Sequence, residues 1–313
     1  MIISASRRTD IPAFYSEWFI NRIRAGFLLT RNPFNYHQVS RVSLLPDDVD
    51  AIVFWTRNPV KLLPHMDELS RVGHRFYFQF TITGYPRTLE SKTLNPHKAL
   101  DVFKKLADNV GAEKVIWRYD PILFSNLLPF EEHIRLFSKL AGELQGYTRR
   151  VVISFADFYQ KTEKNLKTVD SLVYSDITQN HEICLSLAEK LAEIAHHYDM
   201  DIFSCAEDME LTRQGIQHGK CIDETLINDL FGLQLASSKD PGQREACGCV
   251  KSIDIGMYNT CLHGCKYCYA TFNTTQANTN FKKHNPNSPL LLGNADDVDP
   301  RLLQPVIFQQ NLF

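Results

Sequence analysis

Along most of the chain, runs rich in Val, Ile, Phe and Tyr alternate with stretches whose apolar residues recur every three or four positions. The first pattern predicts strands and the second predicts helices. The strand-like runs are 2–6, 51–56, 75–83, 114–119, 150–156, 201–205 and a last one at 252–257. Helical periodicity falls between them at 14–25, 60–72, 96–110, 129–144, 181–197 and 224–235. Strands that return through a helix each time must run parallel, because a short turn can only join antiparallel neighbours. The predicted fold class is therefore α/β, as a parallel (β/α) barrel or partial TIM-like barrel.

The pattern changes after residue 269. Asn273, Thr274, Thr275, Asn278, Asn280, Asn285, Pro286 and Asn287 follow in quick succession, and two short apolar pieces close the chain. About 40 residues without a strong core do not make a domain of their own. The chain thus reads as one barrel domain over 1–270, with a tail over 271–313 wrapping it. Leu290, Leu291, Val306, Ile307 and Phe308 would anchor that tail. No internal repeat is visible.

Polar residues concentrate where the predicted strands end, which in parallel barrels is the face that carries chemistry. The first strand runs into Ser6-Arg7-Arg8-Thr9-Asp10 and the second into Trp55-Thr56-Arg57-Asn58-Pro59. The third carries Gln79 and Thr81, and the fourth reads Trp117-Arg118-Tyr119-Asp120-Pro121. The fifth carries Ser154 and Asp157, and the sixth ends Ser204-Cys205-Ala206-Glu207. Six such ends on one rim predict a polar, anion-tolerant cavity. Ser6, Arg7, Arg8, Asp10, Arg57, Asn58 and Arg118 are the candidate cofactor contacts, together with Tyr267 near the C-terminal end. Asp120, Asp157 and Glu207 are candidate general acids or bases, or partners of ribose hydroxyls. Plainer roles stand beside these. Asp10 before Ile11-Pro12 suits a helix N-cap, Arg118 and Asp120 suit an ion pair, and Trp55 and Trp117 suit packing.

Cysteine usage then changes the picture. Cys261, Cys265 and Cys268 lie within eight residues, separated by three and then two positions. A short irregular loop so spaced can aim three thiolates at one centre, which suits three corners of a 4Fe-4S cubane and leaves the fourth iron without a protein ligand. A structural zinc loop is the alternative, and it would need a fourth ligand such as His263 or His37. Cys205, Cys221, Cys247 and Cys249 match in number a second, fully ligated cluster or a zinc site. Cys184 sits in a helical pattern and reads as a small buried hydrophobe.

The cysteine loop, with the aromatic Tyr267 just before its last cysteine, resembles the signature of radical S-adenosylmethionine (SAM) enzymes. That resemblance implies a cluster whose open iron is chelated by SAM. It also implies reductive cleavage to a 5'-deoxyadenosyl radical and an electron donor such as a flavodoxin or ferredoxin. The stretches 4–12, 54–59 and 117–122, taken with the cysteine-rich end, resemble one domain-of-unknown-function family noted for radical-SAM-like C-terminal cysteines. In ordinary radical SAM enzymes the loop follows the first barrel strand, whereas here it lies past residue 260. A circular permutation accounts for this if 252–257 is the equivalent first strand, paired in parallel beside 2–6. The Gly-Gly-Glu type segment of those enzymes is replaced by Ser4-Ala5-Ser6-Arg7-Arg8, where an Arg could meet the SAM carboxylate. The Tyr267-Cys268-Tyr269 ending is also similar to that of DNA photoproduct lyases of the same superfamily.

Composition sets the remaining bounds. The 313 residues are 44% hydrophobic and 22% charged, enough for a sizeable core. A formal net charge of −2 and a pI near 6.6 give a nucleic-acid partner no support. No apolar run approaches the ~18 residues of a membrane span, and no secretory leader opens the chain. The expected location is cytoplasmic, where clustered cysteines read as metal ligands rather than disulfides.

Overall fold

The computed structural model describes residues 1–33, 35–205, 207–293 and 295–306, without the side chain of Tyr36. Eight strands form one parallel sheet: β1 (Ile2–Ala5), β4 (Ala51–Thr56), β5 (Phe76–Thr81), β6 (Val115–Ile122), β7 (Arg150–Phe155), β8 (Asp201–Cys205), β9 (Gln217–Gly219) and β10 (Ile253–Asp254). Their order is β10-β1-β4-β5-β6-β7-β8-β9, and every neighbouring pair is parallel. All their C-terminal ends therefore face one rim. The last strand pairs with the first as expected, with Ile3 opposite Ile253 and Ser4 opposite Asp254. The protein is thus an α/β protein with a large parallel sheet.

Alternation along each strand splits the side chains between two faces. One face carries Ile3, Phe54, Phe78, Trp117 and Ile153 into the main core beneath the helices. Those helices include α2 (Ser16–Ala25), α4 (Pro96–Val110), α5 (Phe130–Leu144) and α7 (His181–His197), preceded by α1 (Ile11–Phe14) and joined by α3 (Met66–Arg71) and α6 (Gln160–Leu166). The other face holds Ile2, Val53, Tyr77, Ile116 and Val152 against Ile227 of α8 (Glu224–Phe231), together with Cys221, Cys247 and Cys249. Burial on both faces explains why the strands read as near-continuous apolar runs. One step further along, the second face turns polar, through Ser4, Trp55, Gln79, Arg118, Ser154 and Cys205.

Several expectations need correction. The helix expected at 14–25 begins earlier, because the Asp10 carboxylate caps the Ala13 N–H at 2.9 Å, and it is interrupted at Tyr15. The 60–72 helix is a 3-10 turn at Leu63–His65 followed by α3, and the 224–235 helix stops at Phe231, where Gly232 adopts φ +65°. The strand expected at 252–257 is only two residues long. An antiparallel hairpin of β2 (Phe27–Asn32) and β3 (Asn35–Ser43) was not foreseen. Its residues Phe27 and Leu29 pack on Leu290 and Val298 of the tail. The polar stretch after 269 is not wholly irregular, since α9 (Thr274–Lys283) forms there with Asn273 capping the Gln276 N–H at 2.9 Å. Asn273 thus acts as a cap. Leu290 and Leu291 are buried and Val306 packs beside the hairpin, whereas Ile307 and Phe308 lie outside the described residues, as does Ala206.

Candidate functional site

The three cysteines of the C-terminal loop stand at the rim, and three neighbouring segments hold the loop there. Asp10 supplies the first hold. Its Oδ1 accepts from the Ala13 N–H and from Thr56 Oγ1 (2.8 Å), while Oδ2 accepts from the Arg57 N–H (2.7 Å) and from His263 Nε2 (2.7 Å). The capping role read from sequence is real. The same carboxylate also ties the ends of β1 and β4 to the cysteine loop, and His263 Nδ1 stays buried without a hydrogen-bond partner.

The second hold is the segment after β5. Lys92 N–H donates to the His263 carbonyl (3.0 Å) and Lys266 N–H to the Leu89 carbonyl (2.9 Å). Gly264 has φ +70°, and a Cβ there would stand 2.4 Å from Ser91 Oγ, so any other residue would strain the backbone and displace that hydroxyl. Glu90 lies between them. Its Oε1 accepts from Arg57 Nη1 (2.9 Å), from Thr83 Oγ1 (2.6 Å) and from the Tyr267 hydroxyl, while Arg57 Nη2 donates to Tyr267 Oη (2.7 Å). Burial works against the Arg57 charge, but Glu90 and then Tyr267 outweigh it and raise its pKa well above the ordinary value. The expected cofactor contacts Arg57 and Tyr267 are therefore spent on one another. Asn58 turns its carbonyl oxygen to the Val60 N–H (3.3 Å).

The third hold is Asp254 on β10. It accepts from Ser4 Oγ (3.0 Å), Ser6 Oγ (2.6 Å), the Arg7 N–H (2.9 Å) and the Gly256 N–H (3.0 Å). Ser6 is thus directed at a strand partner. Arg7 lies 6.0 Å from the centre of the Trp55 ring, and its carbonyl accepts from Tyr269 Oη (2.9 Å). Arg8 is the more open cation, over the Tyr258 ring at 5.4 Å and 4.0 Å from Asp254.

Cys261, Cys265 and Cys268 are half-buried residues. Burial pushes the Cys261 thiol well up, with Cys268 adding to it, and lifts the Cys265 thiol to about 12. Backbone donors already face two of them: the His263 N–H at Cys261, and the Thr271 N–H at Cys268 Sγ (3.3 Å). Thiols that are costly to ionise alone yet met by N–H donors suit a bound cation that would pay for the charge. Ligands of one zinc must sit about 3.8 Å apart, given Zn–S bonds of about 2.3 Å. Among the described residues no three His, Cys, Asp or Glu side chains could hold a single ion as placed. Corners of a cubane spread wider.

The second cysteine set converges on the polar part of the second face. Cys205 and Cys221 are within hydrogen-bonding reach of each other, as are Cys221 and Cys249, and Cys249 and Cys247. Arg118 Nη1 donates to Cys221 Sγ (2.8 Å) and the Ile222 N–H to Cys249 Sγ (3.4 Å). The rest of Arg118 engages Asp120, through Nε (2.9 Å) and Nη2, so the ion pair exists. Ser154 Oγ also reaches Asp120 (3.4 Å). Asp157 is exposed and paired with Arg244 (2.9 Å), whose carbonyl accepts from the Cys247 N–H (3.0 Å). Glu207 accepts from the Phe155 N–H (2.7 Å), and burial lifts its carboxyl to about 7. Cys184 is buried in α7, as its periodicity implied. His37 is exposed on β3, while Trp117 is buried in the main core, stacked on Phe137. Glu90, Thr83, Ser91 and Asp254 were not visible as site residues in the sequence.

Fold and site together define an α/β protein whose parallel sheet gathers seven cysteines in two groups, three on the rim loop and four on the sheet face beside it. Residues 2–270 match the family described as Domain of unknown function (DUF1848), and the chain belongs to that family. No curated protein matches the chain. Among solved structures, a dehydrogenase/reductase from Sinorhizobium meliloti 1021 is similar at 11% identity over 67% of this chain and 86% of that one. Its TM-score of 0.24 is too low to carry any inference. No helix among the described residues is long and apolar enough to cross a membrane.

Proposed function

We propose that this protein is a radical SAM-type iron-sulfur enzyme built on a circularly permuted (β/α) barrel over 1–270, with 271–313 as a wrapping tail. The observation that carries the reading is the gathering of Cys261, Cys265 and Cys268 at the C-terminal rim of a parallel sheet, on a loop that directly follows the strand paired with β1. Cys261, Cys265 and Cys268 would hold the cluster, and a cluster with SAM bound there supplies one-electron reductive cleavage of the sulfonium to a carbon radical. The chain's own residues do the rest. Asp10 and Glu90 fix the loop on both flanks, so the thiols keep one geometry. Asp254 sets the end of β1, presenting Arg8 beside the loop, where its guanidinium could meet a carboxylate bidentately. Arg118 and Asp120 line the adjacent face as the polar groups nearest a substrate, and Trp55, with Arg118 5.1 Å from its ring centre, walls it.

A zinc loop closed by His263 is the second reading, favoured by one observation: its Nδ1 lacks a partner while Asp10 orients the ring through Nε2. The two readings separate in an electron paramagnetic resonance experiment on anaerobically iron-loaded, reduced protein. A cluster signal whose shape changes on adding SAM is expected, and the C261A/C265A/C268A variant should show no SAM-dependent change. A signal indifferent to SAM, or stoichiometric zinc with no iron uptake, would overturn the proposal.

A further inference from the structure

We infer that Cys205, Cys221, Cys247 and Cys249 fully ligate a second 4Fe-4S cluster on the face of the sheet, beside the rim loop. The inference rests on the proposed function for the identity of the first centre, but its own support is separate.

Three segments that are separated in sequence bring these thiols together. Cys205 is the last residue of β8, Cys221 follows β9, and Cys247 and Cys249 come from the loop that pairs back by Val250 N–H to the Ile222 carbonyl (3.1 Å). Packing need not do this, because buried free thiols scatter through a core as Cys184 does. The group is also built to carry negative charge. A cluster held by four thiolates is anionic, and here Arg118 donates to Cys221 Sγ, the Ile222 N–H donates to Cys249 Sγ, and the Cys221 carbonyl is pinned by Tyr77 Oη and Gln79 Nε2, both at 2.8 Å. The thiols follow one another as a chain, Cys205, Cys221, Cys249, Cys247, rather than closing on a single point. Four thiolates match the ligand count of a cubane and of a tetrahedral zinc alike, and the metal analysis below separates the two.

Its ligand count also sets its role. With a cysteine on every iron, the second centre has no open site for SAM or substrate, so it passes electrons or holds charge. Arg7 lies between the two centres. Its guanidinium stands 3.9 Å from Asp240, whose N–H donates to the Cys249 carbonyl (2.9 Å), and its own carbonyl receives the hydroxyl of Tyr269, the residue after Cys268.

Iron and sulfide counts on the full chain test this directly, with anaerobic reconstitution and native mass spectrometry as readouts. Wild type should carry about eight irons, and C261A/C265A/C268A about four, since each cubane holds four. Adding C205A or C249A to the triple variant should remove the remainder. Far-ultraviolet circular dichroism would show the sheet intact. An independent readout is R118M. With the Arg118 hydrogen bond to Cys221 gone, the cluster retained in the triple variant should titrate at a lower reduction potential. Iron near zero in the triple variant, with about four in wild type, would overturn this inference while sparing the proposed function. About four irons in both would support it and refute the first centre instead. Zinc in place of the retained iron would overturn it, as would an unshifted potential in R118M.

Discussion

Replacing Glu90 by Gln isolates the buried network that pins Tyr267 between two of the cluster cysteines. The Glu90 carboxylate is the counter-charge of Arg57, with side-chain exposures of 5% and 13% respectively. It also takes hydrogen bonds from Thr83 and Tyr267. Removing one member of a buried pair costs about 3 to 5 kcal/mol, because a charge is left uncompensated in a poorly solvated place. The amide oxygen of Gln can still accept one of the three hydrogen bonds, so the lower end, about 3 kcal/mol, applies. Unfolding entropy of about 2.1 cal/mol/K per residue gives the 313 residues about 0.66 kcal/mol/K, and E90Q should therefore lower the thermal midpoint by about 5 °C. The loosened loop should also retain less iron than wild type after gel filtration. Calorimetry and iron analysis read the two effects, and E143Q serves as control. Glu143 forms an exposed pair with Lys104, so its loss should leave both readouts unmoved. A midpoint for E90Q within about 1 °C of wild type, with normal iron, would show that the network does not hold the loop.

Three further outcomes are expected. D254A, which strips four hydrogen bonds from the β1–β10 junction, should lower the midpoint and weaken SAM binding measured by calorimetric titration, whereas unchanged binding would detach Asp254 from the site. G264A forces a Cβ to within 2.4 Å of Ser91 Oγ in a left-handed conformation that costs about 1 to 2 kcal/mol. It should lose iron, and S91A should restore part of it. His74 is buried with both ring nitrogens unpartnered, and burial lowers its pKa from 6.5 to about 4. Because the folded value lies below the unfolded one, the stability tied to its neutral form is present above pH 6.5 and is lost as pH falls towards 4. In urea titrations the advantage of H74L over wild type should widen by about 2 kcal/mol between pH 8 and pH 5, and a constant gap would contradict this.

Legibility in the sequence followed physical range. The strands 51–56 and 201–205 and the helices 96–110 and 181–197 coincide with the observed elements to the residue. Burial on both sheet faces writes unbroken apolar runs, and Asn95 and Asn180 cap the two helices locally. The hairpin escaped because half of its apolar residues serve one core and half serve the tail, which blurs the alternation. In the site, the cysteine spacing and the Asp10 cap are local and were readable. Glu90 was not, since its partners Arg57 and Tyr267 lie 33 and 177 positions away and its loop has no periodicity. Asp254 was hidden inside a strand-like run whose partner strand opens the chain. Arg57 and Arg118 were recognised as strand-end cations; the pairing of Arg118 with Asp120, two positions away, was readable, whereas only the folded chain shows Arg57 answered by Glu90.

The central claim is that Cys261, Cys265 and Cys268 serve a SAM-cleaving cluster, and the most direct measurement is 5'-deoxyadenosine formed from SAM by iron-loaded protein under dithionite. The account predicts 5'-deoxyadenosine and methionine in equal amounts from wild type and none above background from C261A/C265A/C268A. Cleavage at an undiminished rate in that variant, or none in wild type carrying a full complement of reduced cluster, would contradict it.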